Sequence, residues 1–228
     1  MLSTQLELLK SSEEILDRYR SFRVASCKIV LRLPRYIPKI LMKQIGKKFG
    51  VLKRNTFILN KEDEFDVLFN YCFFHHYIDG KNAIDRFALA NENTLHSEEK
   101  IALSSMRNAS FAILGVEKTI RHGGVIVFDF MRQKRELLMD EGFSQSAIKG
   151  AMLATTVLRT PEFITTTGAA LPLNNLLEKL KPFMENHIEE FNNFDVLKKT
   201  NQSKWIGEIL KLCFQENASE YIEYRNIG

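Results

Sequence analysis

The chain has 228 residues, 45% of them apolar and 26% charged, which is enough for one large domain or two small ones and excludes wholesale disorder. Its net charge of +4 is unevenly spread: residues 1–60 carry thirteen Lys or Arg against four acidic residues, and no Asp or Glu occurs between Arg18 and Lys61. Cys27, Cys72 and Cys213 stand far apart without a Cys-x-x-Cys pair. That spacing argues against a zinc ribbon or a disulfide framework and for a reducing, cytoplasmic setting.

The N-terminal residues acquire acidic groups early, unlike a signal peptide. A capping box at Ser11-x-x-Glu14 opens a predicted helix that runs through Ile15, Leu16, Tyr19 and Phe22 to about Val30. Pro34 and Pro38 then punctuate the chain. Beyond them Ile40, Leu41, Ile45 and Phe49 recur at helical spacing among Lys39, Lys43, Lys47 and Lys48, predicting a short cationic amphipathic helix that stops at Gly50. Residues 56–59 read as extended. Asn60 is the expected cap of a helix that carries Glu62, Asp63 and Glu64 in its first turn and continues to about Tyr77, where Asp79-Gly80 breaks it. Two more helices are expected at 82–90 and, capped by Ser97, at 98–109.

The character then changes. Residues 111–120, 125–130, 135–140, 152–158 and 162–167 read as five short strands, with Arg121-His122-Gly123-Gly124 as a hairpin turn and a helical turn at 144–149. From Pro172 a helical stripe returns: Leu173, Leu176, Leu177, Leu180, Phe183, His187, Ile188 and Phe191, then Trp205, Ile206, Ile209, Leu210 and Cys213. The longest uncharged run, 163–177, is too short and too rich in Thr to span a bilayer, so no transmembrane segment is expected. The fold class is α+β: N-terminal helices (1–110, basic), a small five-stranded antiparallel barrel or bent sheet (111–171), and C-terminal helices packing on the rest (172–228).

Phe49-Gly50-Val51-Leu52, the acidic-then-apolar helix from Glu62 to Asn70-Tyr71, and Asp79-Gly80-Lys81-Asn82-Ala83-Ile84-Asp85-Arg86-Phe87 resemble a bacterial family of uncharacterised proteins. In that family such a helical segment precedes a β-rich module, and residues 110–117, 124–140 and 149–158 fit that part. Some relatives carry a cysteine-rich zinc-binding tail of the SEC-C type, which this chain lacks. The resemblance therefore implies architecture and no chemistry.

Three constellations bear on function. Basic side chains crowded on one surface neutralise phosphates and release counterions, so Arg32, Arg35, Lys39, Lys43, Lys47, Lys48, Lys53 and Arg54 are the expected nucleic-acid contacts. The same helix could instead lie on an anionic membrane or dock on a protein partner or second copy, or its apolar face could simply serve the protein's own core. In the β-module, Lys118, Arg121, Arg132, Lys134, Arg135 and Arg159 accompany Phe111, Phe128, Phe130 and Phe163, as in small barrels that stack bases beside cationic loops. Thirdly, His75, His76 and Asp79 at helical spacing would offer a partial metal site, the basis of an alternative reading as a metal-dependent hydrolase. No phosphate-binding loop, dinucleotide fingerprint or nucleophile elbow occurs, so no catalytic residue, metal or cofactor is expected. The expected function is a non-catalytic protein that binds a polyanion, nucleic acid above all. A protein-assembly module is the competing reading.

Overall fold

All five expected strands form, and they organise the molecule. The computed structural model describes residues 13–120, 123–186, 189 and 197–221. The Ser11 cap, the Arg121-His122 turn and the stripe positions His187, Ile188 and Phe191 lie outside the described residues. Helices and strands are α1 (Glu13–Val30), α2 (Leu41–Lys48), β1 (Leu52–Lys53), β2 (Thr56–Phe57), α3 (Asp63–Asn70), α4 (Ala83–Asn91), α5 (Ser97–Arg107), β3 (Ser110–Ile120), β4 (Gly124–Asp129), β5 (Lys134–Leu138), α6 (Glu141–Ser146), β6 (Met152–Arg159), β7 (Ile164–Pro172), α7 (Leu177–Glu185) and α8 (Lys199–Gln215). A π-helical turn, Tyr71–His75, follows α3 directly. No described helix is long and apolar enough to cross a membrane.

The fold is α+β, with a mixed five-stranded sheet. Its neighbours run β3, β4, β5, β7, β6, and the ladder closes because β6 also pairs with β3. The expectation of a purely antiparallel arrangement is corrected: β5 and β7 pair in parallel through Leu138 and Ile164. The reason is arithmetic. Strand direction cannot alternate all the way round a closed ring of five, so one neighbouring pair must run the same way.

Side chains alternate across each strand. Ala112, Leu114 and Val116 of β3 point inward and meet Val125, Val127, Leu138, Val157 and Ile164, while α6 brings Phe143 and the following loop brings Ala147 and Ala151 against this inner core. Outward-facing residues serve two helical layers. Ile15, Tyr19, Phe22 and Ile29 of α1 pack with Phe87 of α4 and Leu103 of α5 over Leu137, Met139 and Leu158. On another side Leu41, Ile45 and Phe49 join Leu68 and Tyr71, the α8 residues Ile206, Ile209, Leu210 and Phe214, and Phe111, Ile113 and Leu171 of the sheet. Each core thus draws on distant parts of the chain.

Local chemistry explains the boundaries. Gly50 takes φ +80° at the end of α2, as expected of a terminating glycine. Asn82 caps α4 by accepting from the Asp85 N–H, and Asp85 accepts in return from the Asn82 N–H. The expected Asn60 cap does not form. Its side chain bonds Asn217 instead, and its backbone N–H donates to Glu64 at 2.8 Å.

Candidate nucleic-acid interface

Helix α2 divides cleanly into two faces. Leu41, Ile45 and Phe49 are buried, and Lys43, Lys47 and Lys48 are exposed. Of the predicted stripe, Ile40 alone stays outside, 61% exposed. Burying each such side chain is worth about 1.5–3 kcal/mol, so the apolar face belongs to the protein's own core and is not free to enter a bilayer or grip a partner helix.

A hairpin extends this surface. Leu52 pairs with Phe57 and Lys53 with Thr56, and the intervening Arg54 and Asn55 both have positive φ, 47° and 69°, as a two-residue turn matched to strand twist requires. The hairpin lies against α2 because residue 46 is glycine: a Cβ there would sit 2.5 Å from the Phe57 ring. Lys53 and Arg54 are thereby carried beside the lysines of α2, both exposed.

Seven of the eight expected contacts, Arg35, Lys39, Lys43, Lys47, Lys48, Lys53 and Arg54, are exposed. None of the seven makes an ion pair among the described residues. Arg32 is the exception. It is half-buried, its guanidinium lies 4.7 Å over the Phe87 ring, and it donates to Asn91 Oδ1.

Other cations are spent internally. Arg18 reaches Glu162 at 3.0 Å, Arg20 reaches Glu141 at 2.7 Å, and Arg23 donates to the Thr166 carbonyl at 3.0 Å, so the first part of the basic run fastens α1 to the sheet module. In the β-module, Arg132 and Arg159 both bind the fully buried carboxylate of Asp129, at 3.2 and 3.0 Å. Arg159 also pairs with Glu136, as does Lys134. Their expected role as free turn cations is corrected for that reason. Arg135 pairs with Glu117 at 2.8 Å while its guanidinium stands 5.7 Å from the Phe128 ring, and Lys118 is exposed. Phe111 and Phe163 are core residues; Phe128 is half-buried and meets Phe130 edge to face at 5.0 Å, with Phe130 at the surface.

His75, His76 and Asp79 do not converge. The π turn ends the helix at His75, His76 is extended (φ −96°, ψ 121°), and Asp79 is exposed in a turn with φ 52°. Helical i, i+4 spacing therefore does not exist here. His75 is buried with its Nε2 2.7 Å from Thr156 Oγ1. Because Thr156 donates onward to Asn70 Oδ1, His75 must donate through Nε2, and Asn70 in turn donates to Thr167 Oγ1 at 2.6 Å. Burial, with a smaller contribution from Lys199, pushes the His75 pKa down to about 3, so the imidazole is neutral. Burial pushes the neighbouring Cys72 thiol up to about 12, opposite to what a nucleophile needs. No cluster of three or more His, Cys, Asp or Glu suited to a metal occurs among the described residues.

A half-open groove of about 760 Å³ lies between α6, β6 and β7, lined chiefly by Phe143, Ala147, Ile148, Met152, Ala170 and Pro172. Asp140, at its edge, is occupied in capping α6 through the Phe143 N–H. No curated protein and no solved structure matches the chain. A family model does, over residues 13–206, and the chain belongs to that family, a family of unknown function (DUF7986).

Proposed function

We propose that this protein is a non-catalytic polyanion-binding protein whose ligand is nucleic acid, engaged by α2 and the β1–β2 hairpin. The observation that carries the reading is the contrast in pairing. Arg18, Arg20, Arg132, Lys134, Arg135 and Arg159 have carboxylate partners, whereas the seven exposed cations from Arg35 to Arg54 have none among the described residues. Surface cations held on ordered elements without internal counter-charge raise the local concentration of a polyanion and release its counterions.

The sheet module supports the same reading by analogy. A five-stranded closed barrel in the order first, second, third, fifth, fourth, with a helix between third and fourth strands, is the arrangement of oligonucleotide- and oligosaccharide-binding barrels. Phe128, Phe130 and Lys118 stand on the first two hairpins of that ring and form the proposed second contact, where bases would stack on the rings. Three free thiols, two of them buried, fit a cytoplasmic protein.

The test is retention of a mixed nucleic-acid pool at about 50 mM salt, where phosphate contacts are strong. Wild-type protein is expected to bind with a log–log salt slope of roughly −5, as about six or seven phosphate contacts give. Lys43→Glu, Lys47→Glu and Lys48→Glu together are expected to abolish binding without altering the far-UV circular dichroism. Absence of binding by the wild type defeats the proposal.

A further inference from the structure

Position 207 is a glycine in the interior of α8, where it weakens the helix. The surroundings explain it: a Cβ there would lie 2.7 Å from Lys48 Nζ and 3.2 Å from Tyr71 Oη. The bare backbone of α8 thus receives the ammonium group of the last residue of α2. Lys48 Nζ also stands 5.7 Å from the Tyr71 ring centroid and has no ion pair among the described residues. Tyr71 donates to the Ser203 carbonyl at 3.1 Å. Since Lys199, Ser203 and Gly207 are spaced by four, they share the face of α8 that meets Tyr71 and Lys48.

The half-buried His76 ring lies 6.3 Å from the Tyr71 ring. Arg86 reaches in from α4, donating to the Ile78 carbonyl at 2.7 Å. Burial lowers the His76 pKa, and Lys48 and Arg86 lower it further; Lys199 acts likewise on His75. Lys48 of α2 and Arg86 of α4 therefore both bear on the half-buried His76 ring, an arrangement that an anion relieves.

We infer that the junction of α2, the π turn and α8 is a phosphate seat, with Lys48 and His76 as its contact residues and Lys199 and Arg86 adding to the field. In this seat one phosphate of the bound polyanion would leave the open surface and be held in a fixed place. Gly207 is a positioning residue, keeping the approach of Lys48 open. The choice of a phosphodiester as the physiological ligand rests on the polyanion reading; the seat itself does not, and inorganic phosphate tests it.

The measurement is the pH titration of the His76 ring protons by NMR in the full chain, with phosphate replacing chloride at constant ionic strength. Phosphate is expected to raise the His76 pKa by about one unit, as a close opposite charge does, while the deeply buried His75 stays silent above pH 5. Lys48→Ala and Gly207→Ala are each expected to weaken phosphate binding about tenfold, and Lys100→Ala, on the distant α5, to leave it unchanged. If Gly207→Ala fails to fold, Lys48→Ala decides alone. An unmoved His76, or an equal response in Lys48→Ala, overturns the seat even if nucleic acid binds. Phosphate binding without nucleic-acid binding keeps the seat and discards the polyanion reading.

Discussion

Asp129 shows how one side chain turns apparent surface charge into structure. It is wholly buried; Oδ1 accepts from the Met131 and Arg132 N–H groups at 2.9 and 3.2 Å, closing the turn into β5, and Oδ2 binds the guanidinium groups of Arg132 and Arg159. A buried ion pair adds little net stability over a well-packed apolar replacement, but deleting one partner leaves an uncompensated charge. Asp129→Ala is accordingly expected to destabilise the protein by about 3–5 kcal/mol, read from the midpoint of urea unfolding. Glu136 remains as a partner for Arg159, which sets the lower end of that range. A loss below about 1 kcal/mol would mean that the carboxylate is solvated in the native state. The turn half of this role was legible, since an Asp that accepts from backbone two and three residues on is a common turn device. The Arg159 half was not, because thirty residues separate the partners.

At the scale of elements, the π turn Tyr71–His75 is where helical periodicity fails. Five consecutive residues, Tyr71 to His75, are buried because the turn lies between two cores, Tyr71 and Cys72 facing one and Phe73 and Phe74 the other, with His75 on Thr156. Burial of a neutral imidazole has a pH consequence. The unfolded chain binds a proton near pH 6.5 and the native state only near 3, so stability is complete above about pH 6.5 and falls as the pH drops between the two values. The slope approaches about 1.4 kcal/mol per pH unit. His75→Gln keeps a donor for Thr156 but does not titrate. Between pH 6.5 and 4 the wild type is expected to lose about 2–3 kcal/mol more than this variant; coincident pH profiles would show that His75 is already charged when folded.

Elements whose chemistry is local were readable in advance for this reason. The two faces of α2, the glycine that ends it and the alternation of the strands each depend on neighbours within a few residues. The parallel contact of β5 with β7, the partner strand Leu52–Lys53 and the approach of Lys48 to Gly207 and Tyr71 depend on closure and on packing between segments far apart in the chain. Among the proposed binding residues, Arg32 illustrates the same limit, because its stacking on Phe87 is set by how α4 meets the chain after α1.

For the whole molecule, the decisive feature is that α8 completes the core on which the basic face is built. Ile206, Ile209, Leu210, Cys213 and Phe214 are buried against α2, α3 and the sheet, and Phe214 stacks on Phe49 at 5.6 Å. Ser219 anchors the following turn to the buried Glu64. Exposing five such side chains forfeits on the order of 8–15 kcal/mol at about 1.5–3 kcal/mol each, as much as the entire stability of a typical domain. Truncation after residue 196 is therefore expected to abolish cooperative unfolding altogether, and not merely to lower the midpoint. The intact chain should show one transition by near-UV and far-UV circular dichroism together, since the two helical layers share a single sheet. A truncated chain that kept a sharp transition and a native near-UV spectrum would mean that the first 196 residues hold a self-sufficient core, and that α2 keeps its orientation without α8. In that case the lysine face could persist while the Lys48 seat, which needs Gly207, could not.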